Sequence, residues 1–294
     1  MTTEPGRFGG STGPVAVLVL ALLAIWYAAT VWLNAPMARQ IAPDPAALQG
    51  SALVAATMSL ERPVLPAPHQ VAGELWRSVF TLPPTSRRSL VYHAGVTIGA
   101  TLLGFVIGAL FGILLAALIV HGRALQKSLL PWIIASQTVP ILAIAPIVVV
   151  VLGSLGLKGL VPKALISAYL CFFPVTIGMV KGLTSPEVMQ LDLMRTYNAD
   201  RWQVFAKLRW PAAVPFLFTS LKVAVAISLV GAIVAELPTG AQAGLGARLL
   251  SGSYYGQTVQ IWAALFAASF VAALMVALTG LAERLTLGAM GLRR

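Results

Sequence analysis

The stretch Ser185–Pro211 reads SPEVMQLDLMRTYNADRWQVFAKLRWP and is a charged segment in a chain that is otherwise largely apolar. Its first residues carry the features of a helix start. Ser185 is a favourable N-cap, Pro186 suits the first helical position, and Glu187 stabilises the first turn. The sequence therefore predicts a helix that begins here and ends at Tyr197.

A tight turn and a second short helix are expected to follow. Asn198 tolerates the left-handed backbone that ends a helix, and Asp200 can cap a new helix over 201–208. Pro211 disfavours helical geometry at Trp210 and so predicts a break. The whole stretch is predicted to be two short helices joined by a turn, a shape suited to gripping another protein.

The composition predicts an all-α polytopic membrane protein. The 294 residues are 58% hydrophobic and only 10% charged, whereas soluble domains carry about a quarter charged residues. The net charge of +11 could indicate nucleic acid or anionic lipid. The basic residues lie mainly in connections and ends, so membrane topology explains them and no nucleic-acid partner is expected. The single cysteine, Cys171, excludes an intrachain disulfide framework and a Cys-rich metal site.

Six apolar segments are long enough to cross a bilayer as helices. They are Val15–Leu33, Val91–Val120, Leu129–Leu152, Pro162–Val180, Ala212–Glu236 and Gln257–Leu285. The last five form a core over 91–285, which includes the loop 185–211. Residues 1–14 and 286–294 are predicted to be cytoplasmic tails, the second of them basic.

The connection over 34–90 is rich in proline, and prolines at this density cannot cross lipid as a helix. It is predicted to lie outside the membrane, largely extended. Within it, Val71–Leu82 is predicted to form a short amphipathic helix at the membrane surface.

Small and kinking residues inside the spans suggest a pathway. Gly104, Gly108 and Gly112 recur every four residues, which lets another helix approach closely. Prolines at membrane depth kink helices and free carbonyl groups where the backbone is buried or lines a cavity. Packing irregularity explains any single proline equally well. The candidate pathway residues are Thr138, Pro140, Pro146 and Pro174.

Two ionisable residues lie near span ends. Glu236 closes the fifth span, where it can face the pathway, gate it, contact a binding protein or serve as a solvated helix end. Lys222 lies about one third of the way into the same span, and snorkelling to the cytoplasm is its expected behaviour.

The distribution of Lys and Arg predicts the orientation. Five basic residues fall between 181 and 211, and they are Lys181, Arg195, Arg201, Lys207 and Arg209. This connection is therefore predicted to be cytoplasmic, with both termini on the same side.

The central stretch resembles the EAA loop of binding-protein-dependent ABC importer permeases. That pattern has Glu-Ala-Ala, a Gly six residues after the Glu, and Ile-x-Leu-Pro ending thirteen residues past the Gly. The matching positions here are Asp192, Leu193, Met194, Asn198, Leu208, Trp210 and Pro211. The spacing is kept. Asp retains the charge, Asn retains access to left-handed backbone, and two larger residues replace the alanines.

Further motifs resemble the nitrate/sulfonate/taurine subgroup, whose fold is called MetI-like. They occur in the same order along residues 62–288, and they are Leu65–Pro68 followed by Val71, Val139–Pro146, Ala199–Phe205, Leu217–Lys222, Val234–Leu237 and Gly244–Gly246. Each motif alone is weak evidence, whereas the ordered set is strong.

The resemblance implies a transport subunit in a bacterial inner membrane. Such permeases pair as two copies around a pathway, dock a coupling helix on each subunit of an ATPase dimer, and receive solute from a solute-binding protein. By this resemblance the ATPase contacts are expected at Asp192, Leu193, Met194, Arg195, Thr196, Tyr197, Asn198 and Pro211. The subgroup handles sulfonates, nitrate, taurine, bicarbonate or heterocyclic vitamin precursors. The absence of an arginine cluster within the spans favours an organic solute.

An enzyme and a secondary transporter are the alternatives. No lysine is directly preceded by glycine, so the phosphate-binding loop of ATPases is absent, and ATP hydrolysis is expected on a separate chain. His69, His93 and His121 are scattered without metal-ligand or catalytic spacing, so no cofactor is expected. A membrane-embedded enzyme would need polar pairs inside the spans, and a secondary transporter would carry inverted repeats and intramembrane ion ligands.

Overall fold

The computed structural model describes residues 12–46, 48–237 and 241–291, and every regular element in them is helical. In chain order the helices are α1 (Thr12–Ile41), α2 (Gly50–Met58), α3 (Pro68–Trp76), α4 (Leu90–His121), α5 (Arg123–Ser136), α6 (Ile141–Ser154), α7 (Leu160–Leu183), α8 (Val188–Thr196), α9 (Arg201–Val204), α10 (Trp210–Glu236), α11 (Leu245–Tyr254) and α12 (Thr258–Ala289). Short π-helical turns, Arg77–Thr81 and Phe205–Arg209, follow α3 and α9. The predicted all-α polytopic class is confirmed.

Helices α4 and α7 form the most closely packed pair of the bundle. Three glycines of α4 lie against α7, and they are Gly104, Gly108 and Gly112. A Cβ on the first would lie 2.5 Å from the carbonyl oxygen of Ala164, and one on the third would lie 2.7 Å from that of Phe172. Both positions advance together along the chain, so the helices run parallel. The predicted close approach at these glycines is confirmed.

The segment between α4 and α7 therefore has to return from one end of the bundle to the other. It does so through α5 and α6, which are bent by 94° at the break between them. The predicted span Leu129–Leu152 is thus interrupted by a sharp bend. Pro140 lacks an N–H and restricts the residue before it to extended backbone, so α5 ends and α6 starts with Pro140 as its N-cap.

Helix α10 packs antiparallel to α7 and ties three helices together by side-chain hydrogen bonds. A Cβ on Gly182 would lie 2.9 Å from Ala213 near one end. Nearer the other end, the Ser167 hydroxyl donates to the Ser228 carbonyl at 2.7 Å. The Ser228 hydroxyl in turn lies 3.1 Å from the carbonyl of Thr101 on α4. The core of the bundle is thus α4, α7 and α10.

Helix α12 covers the same core and carries the partner of the lysine predicted to snorkel. Lys222 Nζ on α10 lies 2.6 Å from Glu283 Oε2 on α12. The end of the bundle that carries residues 184–209 is called the loop end. The opposite end, with α3, α11 and the starts of α4 and α7, is called the far end.

Helix α10 does not begin at a break. The chain is helical without interruption over Arg201–Glu236, a 36-residue helix that is about 54 Å long. Pro211 was predicted to interrupt it, and that prediction is wrong. Proline is tolerated in a first turn, and here a π-helical turn, Phe205–Arg209, precedes it and re-pairs the backbone with Trp210 N donating to Phe205 O.

The N-terminal part is more helical than expected. Helix α1 passes beyond Leu33 to Ile41, and α2 lies in the stretch predicted to be extended. The fully buried Asn34 side chain accepts hydrogen bonds from the backbone of Val64 and Leu65, which pins α1 to this connection. The predicted amphipathic helix within the connection is confirmed as α3 and its π-helical turn.

Both predicted tails are only partly described. Residues 1–11 and 292–294 lie outside the described residues. Helix α12 continues to Ala289, so the first residues of the predicted C-terminal tail belong to that helix.

Candidate functional site

The loop end presents a helical hairpin with firm local geometry. Asn198 has a φ of 50°, the left-handed backbone predicted for it. Its N–H donates to Arg195 O at 2.8 Å, and Ala199 N donates to Met194 O at 3.0 Å, which closes the end of α8. Asp200 Oδ1 accepts from Gln203 N at 2.7 Å and caps the next helix, as predicted.

The start of α8 differs from the prediction. Glu187, rather than Ser185, is the N-cap, and its N–H donates to Gln190 Oε1 at 3.0 Å. The Ser185 hydroxyl instead donates to Gly182 O and closes the end of α7. Pro186 lies before the cap, so the first helical residue is Val188.

One face of the hairpin is apolar and exposed. No residue of α8 is buried. Met189, Leu193 and Tyr197 recur every four residues and so lie on one face of the helix end, and all three are exposed. Trp202, in the first turn of α9, is 71% exposed. These four exposed side chains of the hairpin are together called the loop surface, and exposed apolar side chains of this kind are typical of a protein interface.

The polar residues predicted for the loop are satisfied within α8. Arg195 Nη1 lies 2.8 Å from Asp192 Oδ1, and both side chains are largely exposed. Thr196 Oγ1 donates to the Asp192 carbonyl at 3.1 Å. Exposed pairs contribute little, about 0–1 kcal/mol, so this ion pair is not what holds the hairpin together. Met194 is half-buried.

The far end contains a buried ion pair. Glu236, the last residue of α10, is fully buried, and Lys163 in the first turn of α7 is buried too. Lys163 Nζ lies 3.1 Å from Glu236 Oε1 and 2.9 Å from the carbonyl oxygen of Ala243. The Thr97 hydroxyl of α4 lies 3.1 Å from both carboxylate oxygens. Three helices and one loop therefore meet at a single carboxylate.

The loop before α11 is held by the same group of residues. Gly246 N donates to Glu236 Oε2 at 2.8 Å, Leu245 N donates to Thr97 Oγ1 at 2.8 Å, and Gly244 N donates to His93 Nδ1 at 3.0 Å. Three consecutive backbone N–H groups thus point into the bundle. Glu236, Lys163, Thr97, His93 and this backbone are called the far-end cluster.

Gly244 cannot be another residue without displacing the cluster. Its φ is 128°, a backbone conformation that favours glycine, and a Cβ there would overlap the Glu236 carboxylate. Gly240, earlier in the same connection, lies outside the described residues.

The position of the Glu236 side chain decides one of the roles considered for it. A solvated helix end is wrong, because the side chain is fully buried. Its carboxylate faces Lys163 and Thr97 rather than open space. The sequence had given Lys163, His93 and Thr97 no expected role at this site. The sequence did hold one indication of this pair. An acidic residue at the end of a membrane span usually pairs with a cation, so Glu236 called for a nearby Lys or Arg.

A cavity of about 990 Å³ opens beside the cluster, between α4, α6, α7 and residues 241–243. Pro146 and Lys163 line it. Thr138 and Pro140 are exposed at the bend between α5 and α6, and Pro174 is half-buried within α7. The structure therefore brings only one of the four predicted pathway residues, Pro146, to this cavity.

Another arginine of the far end, Arg248, is not among the residues that line the cavity. Arg248 on α11 is half-buried, and burial lowers the pKa of its guanidinium, an effect that Glu74 opposes and that Arg77 and Arg88 reinforce. An arginine with a lowered pKa still carries its charge at neutral pH.

Similarity to known proteins covers most of the chain. Residues 108–286 match the family described as "Binding-protein-dependent transport system inner membrane component". A probable ABC transporter permease protein of Haemophilus influenzae is 32% identical over 72% of this chain and 82% of its own length. The riboflavin transport system permease protein RibX of Chloroflexus aurantiacus is 31% identical over 76% of this chain and 79% of its own. The putative aliphatic sulfonates transport permease protein SsuC of Bacillus subtilis is 27% identical over 65% and 68%.

Proposed function

The chain belongs to the family of binding-protein-dependent transport system inner membrane components, and on that premise we propose that it is the permease subunit of an ATP-driven importer. Two copies form the pathway in a bacterial inner membrane. An ATPase dimer binds at the loop end, and a solute-binding protein delivers a small solute to the far end. The loop end and both termini are then cytoplasmic, as the basic residues of the loop favour.

The uninterrupted helix Arg201–Glu236 is the observation that carries this proposal. One end of it forms part of the loop surface, and the other end is the carboxylate of the far-end cluster. A force applied to Trp202 can therefore pass along one continuous helix to Glu236, because the chain stays helical through Pro211. Motion of the ATPase subunits can in this way reach the far end without any chemistry on this chain.

The loop surface has the features that ATPase docking requires. A firm hairpin, capped by Asn198 and Asp200, presents Met189, Leu193 and Tyr197 outward. Aromatic and Met side chains are enriched where proteins bind one another. The ATPase contacts proposed for Asp192, Arg195, Thr196 and Pro211 follow from the family pattern, with Pro211 acting through the continuity of the helix.

The solute is proposed to be one of the small compounds that related systems handle. The names of two relatives specify riboflavin and aliphatic sulfonates. A vitamin precursor, a sulfonate, taurine or nitrate therefore remains the proposed range for this chain.

Association with the ATPase tests the proposal, and two tryptophans offer a matched pair of variants. Trp202 at the loop end is 71% exposed, and Trp76 at the far end is 65% exposed. Trp202→Ala is expected to weaken co-purification of the chain with its ATPase by about tenfold or more, as expected for an interface aromatic. Trp76→Ala is expected to leave that association unchanged.

Uptake into proteoliposomes that contain the chain, its ATPase and its binding protein is expected to require ATP. Uptake by the chain alone, driven by an ion gradient, would identify a secondary transporter. Equal association of both tryptophan variants with the ATPase would contradict docking at the loop surface.

A further inference from the structure

The 990 Å³ cavity, called the far-end cleft, is lined in part by three glycines of membrane helices. Gly95 and Gly99 of α4 and Gly153 of α6 line it. A Cβ on Gly95 or Gly153 would meet no atom within 4 Å, and one on Gly99 would meet only the Leu160 side chain at 3.9 Å. Packing within the described part of the chain therefore does not require these glycines.

A helix with glycine in its interior is less stable than one with alanine there. Glycines on an open helix surface therefore need a reason other than helix stability. Farther along α4, glycine is explained by the contact with α7, where Gly104 approaches the Ala164 carbonyl. At Gly95 and Gly99 no such contact exists among the described residues. What these positions provide is room for a group that is not part of this chain.

The charge of the cleft is positive. Arg87, Lys158 and Lys163 line it, and no acidic residue is among the described residues that do so. The ammonium of Lys163 is occupied by Glu236. No ion pair forms at the side chains of Arg87 or Lys158 within the described part of the chain.

Membrane topology does not explain these cations. In the orientation proposed above, the far end faces away from the cytoplasm, and short connections on that side normally carry few Lys and Arg. Lys158 nonetheless lies in the short connection between α6 and α7, and Lys163 follows in the first turn of α7. Their charge fits an anionic ligand better than it fits orientation.

Much of the remaining lining is apolar, although Tyr92 and Gln242 also contribute to it. Val96 lies on α4, and Val149 and Val150 lie on α6, all within the cleft. Ligand sites commonly combine an apolar lining with a few placed charges, and their volumes reach about 1,000 Å³. The cleft matches that description in both size and lining.

We propose that the far-end cleft is a binding site for a small organic anion, which is the transported solute if the proposed import function holds. The anionic group binds at Arg87 and Lys158, and the apolar body lies against the valines and the open glycines. An anion that reaches Lys163 competes with Glu236 for its ammonium. Solute binding is thereby connected to the cluster that holds residues 243–246.

Direct binding of a charged and a neutral probe tests this site. The purified chain in lipid nanodiscs is titrated calorimetrically with 4-toluenesulfonate and with the uncharged 4-toluenesulfonamide, which has nearly the same shape. The sulfonate is expected to bind at least about tenfold more tightly than the sulfonamide, because only it pairs with the two cations.

Two sets of variants test the contribution of the cations and that of the open volume at the glycines separately. Arg87→Gln with Lys158→Gln is expected to abolish the preference for the anion, whereas Lys127→Gln at the loop end leaves it unchanged. Gly99→Leu is expected to remove binding of both probes. Gly280→Leu is the control, because that helical glycine also has no atom within 4 Å of an added Cβ and lies outside the cleft.

Equal binding of the two probes, no binding of either, or sulfonate binding unaffected by the double Gln variant would overturn the site. Separation of two copies by Gly99→Leu would show instead that a second copy fills the cleft. ATPase association is measured on the same samples. If the unaltered chain associates with its ATPase but does not bind the anion, the site alone is rejected. If the unaltered chain does not associate with its ATPase, the import function is rejected.

Discussion

Lys163 and Glu236 form a buried ion pair, with Nζ 3.1 Å from Oε1, although 73 residues separate them in the chain. Both charges are removed from water and satisfied by fixed partners, the Ala243 carbonyl for the lysine and the Thr97 hydroxyl for the carboxylate. A buried pair of this kind is costly to assemble, yet more costly to split. The pair therefore favours one arrangement of α7, α10 and the loop before α11.

Removal of one partner is expected to destabilise the chain strongly. Lys163→Met leaves the Glu236 carboxylate buried without its cation, which costs about 3–5 kcal/mol. Glu236→Gln likewise leaves the Lys163 ammonium buried without its carboxylate partner. Thermal unfolding of the detergent-purified variants measures the effect.

The double variant is the control for this prediction. Lys163→Met combined with Glu236→Gln removes both charges and is expected to recover at least about half of the loss. Additive losses in the double variant would mean that the two side chains do not interact.

Gly244 and Gly256 give a matched comparison of strain and overlap. Both have positive φ, 128° and 63°, but a Cβ on Gly244 would overlap Glu236, whereas one on Gly256 would meet no atom within 4 Å. Gly256→Ala is expected to cost about 1–2 kcal/mol from backbone strain alone. Gly244→Ala is expected to cost more and to abolish uptake, because it displaces the far-end cluster. Equal unfolding temperatures and equal uptake for both would show that the loop tolerates displacement.

Much of the fold follows from local sequence. Long apolar segments predict the membrane class and the approximate extents of α4, α7 and α12, because burial in lipid depends on composition alone. Asn198 and Asp200 were predicted to end one helix and cap the next, and both do, since these are properties of single residues and their immediate neighbours. The resemblance to the nitrate/sulfonate subgroup is likewise confirmed by the family match.

What local sequence could not provide is direction and long-range pairing. Hydropathy reports that residues 129–152 are apolar, but not that the chain turns by 94° within them. Pro211 has the features of a break, and only the preceding π-helical turn shows why the helix continues. The partner of Glu236 is decided by the topology that brings the start of α7 beside the end of α10.

The glycines of α4 are expected to respond to alanine with opposite signs. Gly108→Ala places a Cβ 2.7 Å from the Ala168 carbonyl, so α4 and α7 must separate, at a cost of about 1–3 kcal/mol. Gly95→Ala meets open space and is expected to stabilise α4 by about 0.5–1 kcal/mol. Unfolding temperatures in one detergent compare the two. Destabilisation by Gly95→Ala equal to that by Gly108→Ala would contradict the open surface described at Gly95.

Asn198 is where loop geometry and transport can be separated. Asn198→Gly keeps the left-handed backbone and is expected to retain uptake, whereas Asn198→Pro forbids a φ of 50° and removes the N–H that donates to Arg195 O. Asn198→Pro is therefore expected to insert into the membrane normally but to uncouple ATP hydrolysis from uptake. Asp192→Lys, which breaks the pair with Arg195 and reverses a charge beside the loop surface, is expected to act in the same way.

ATPase activity and uptake are measured together in proteoliposomes. If Asn198→Pro and Asp192→Lys both transport at the rate of the unaltered chain, the loop serves only as a connection, and force does not pass through α8.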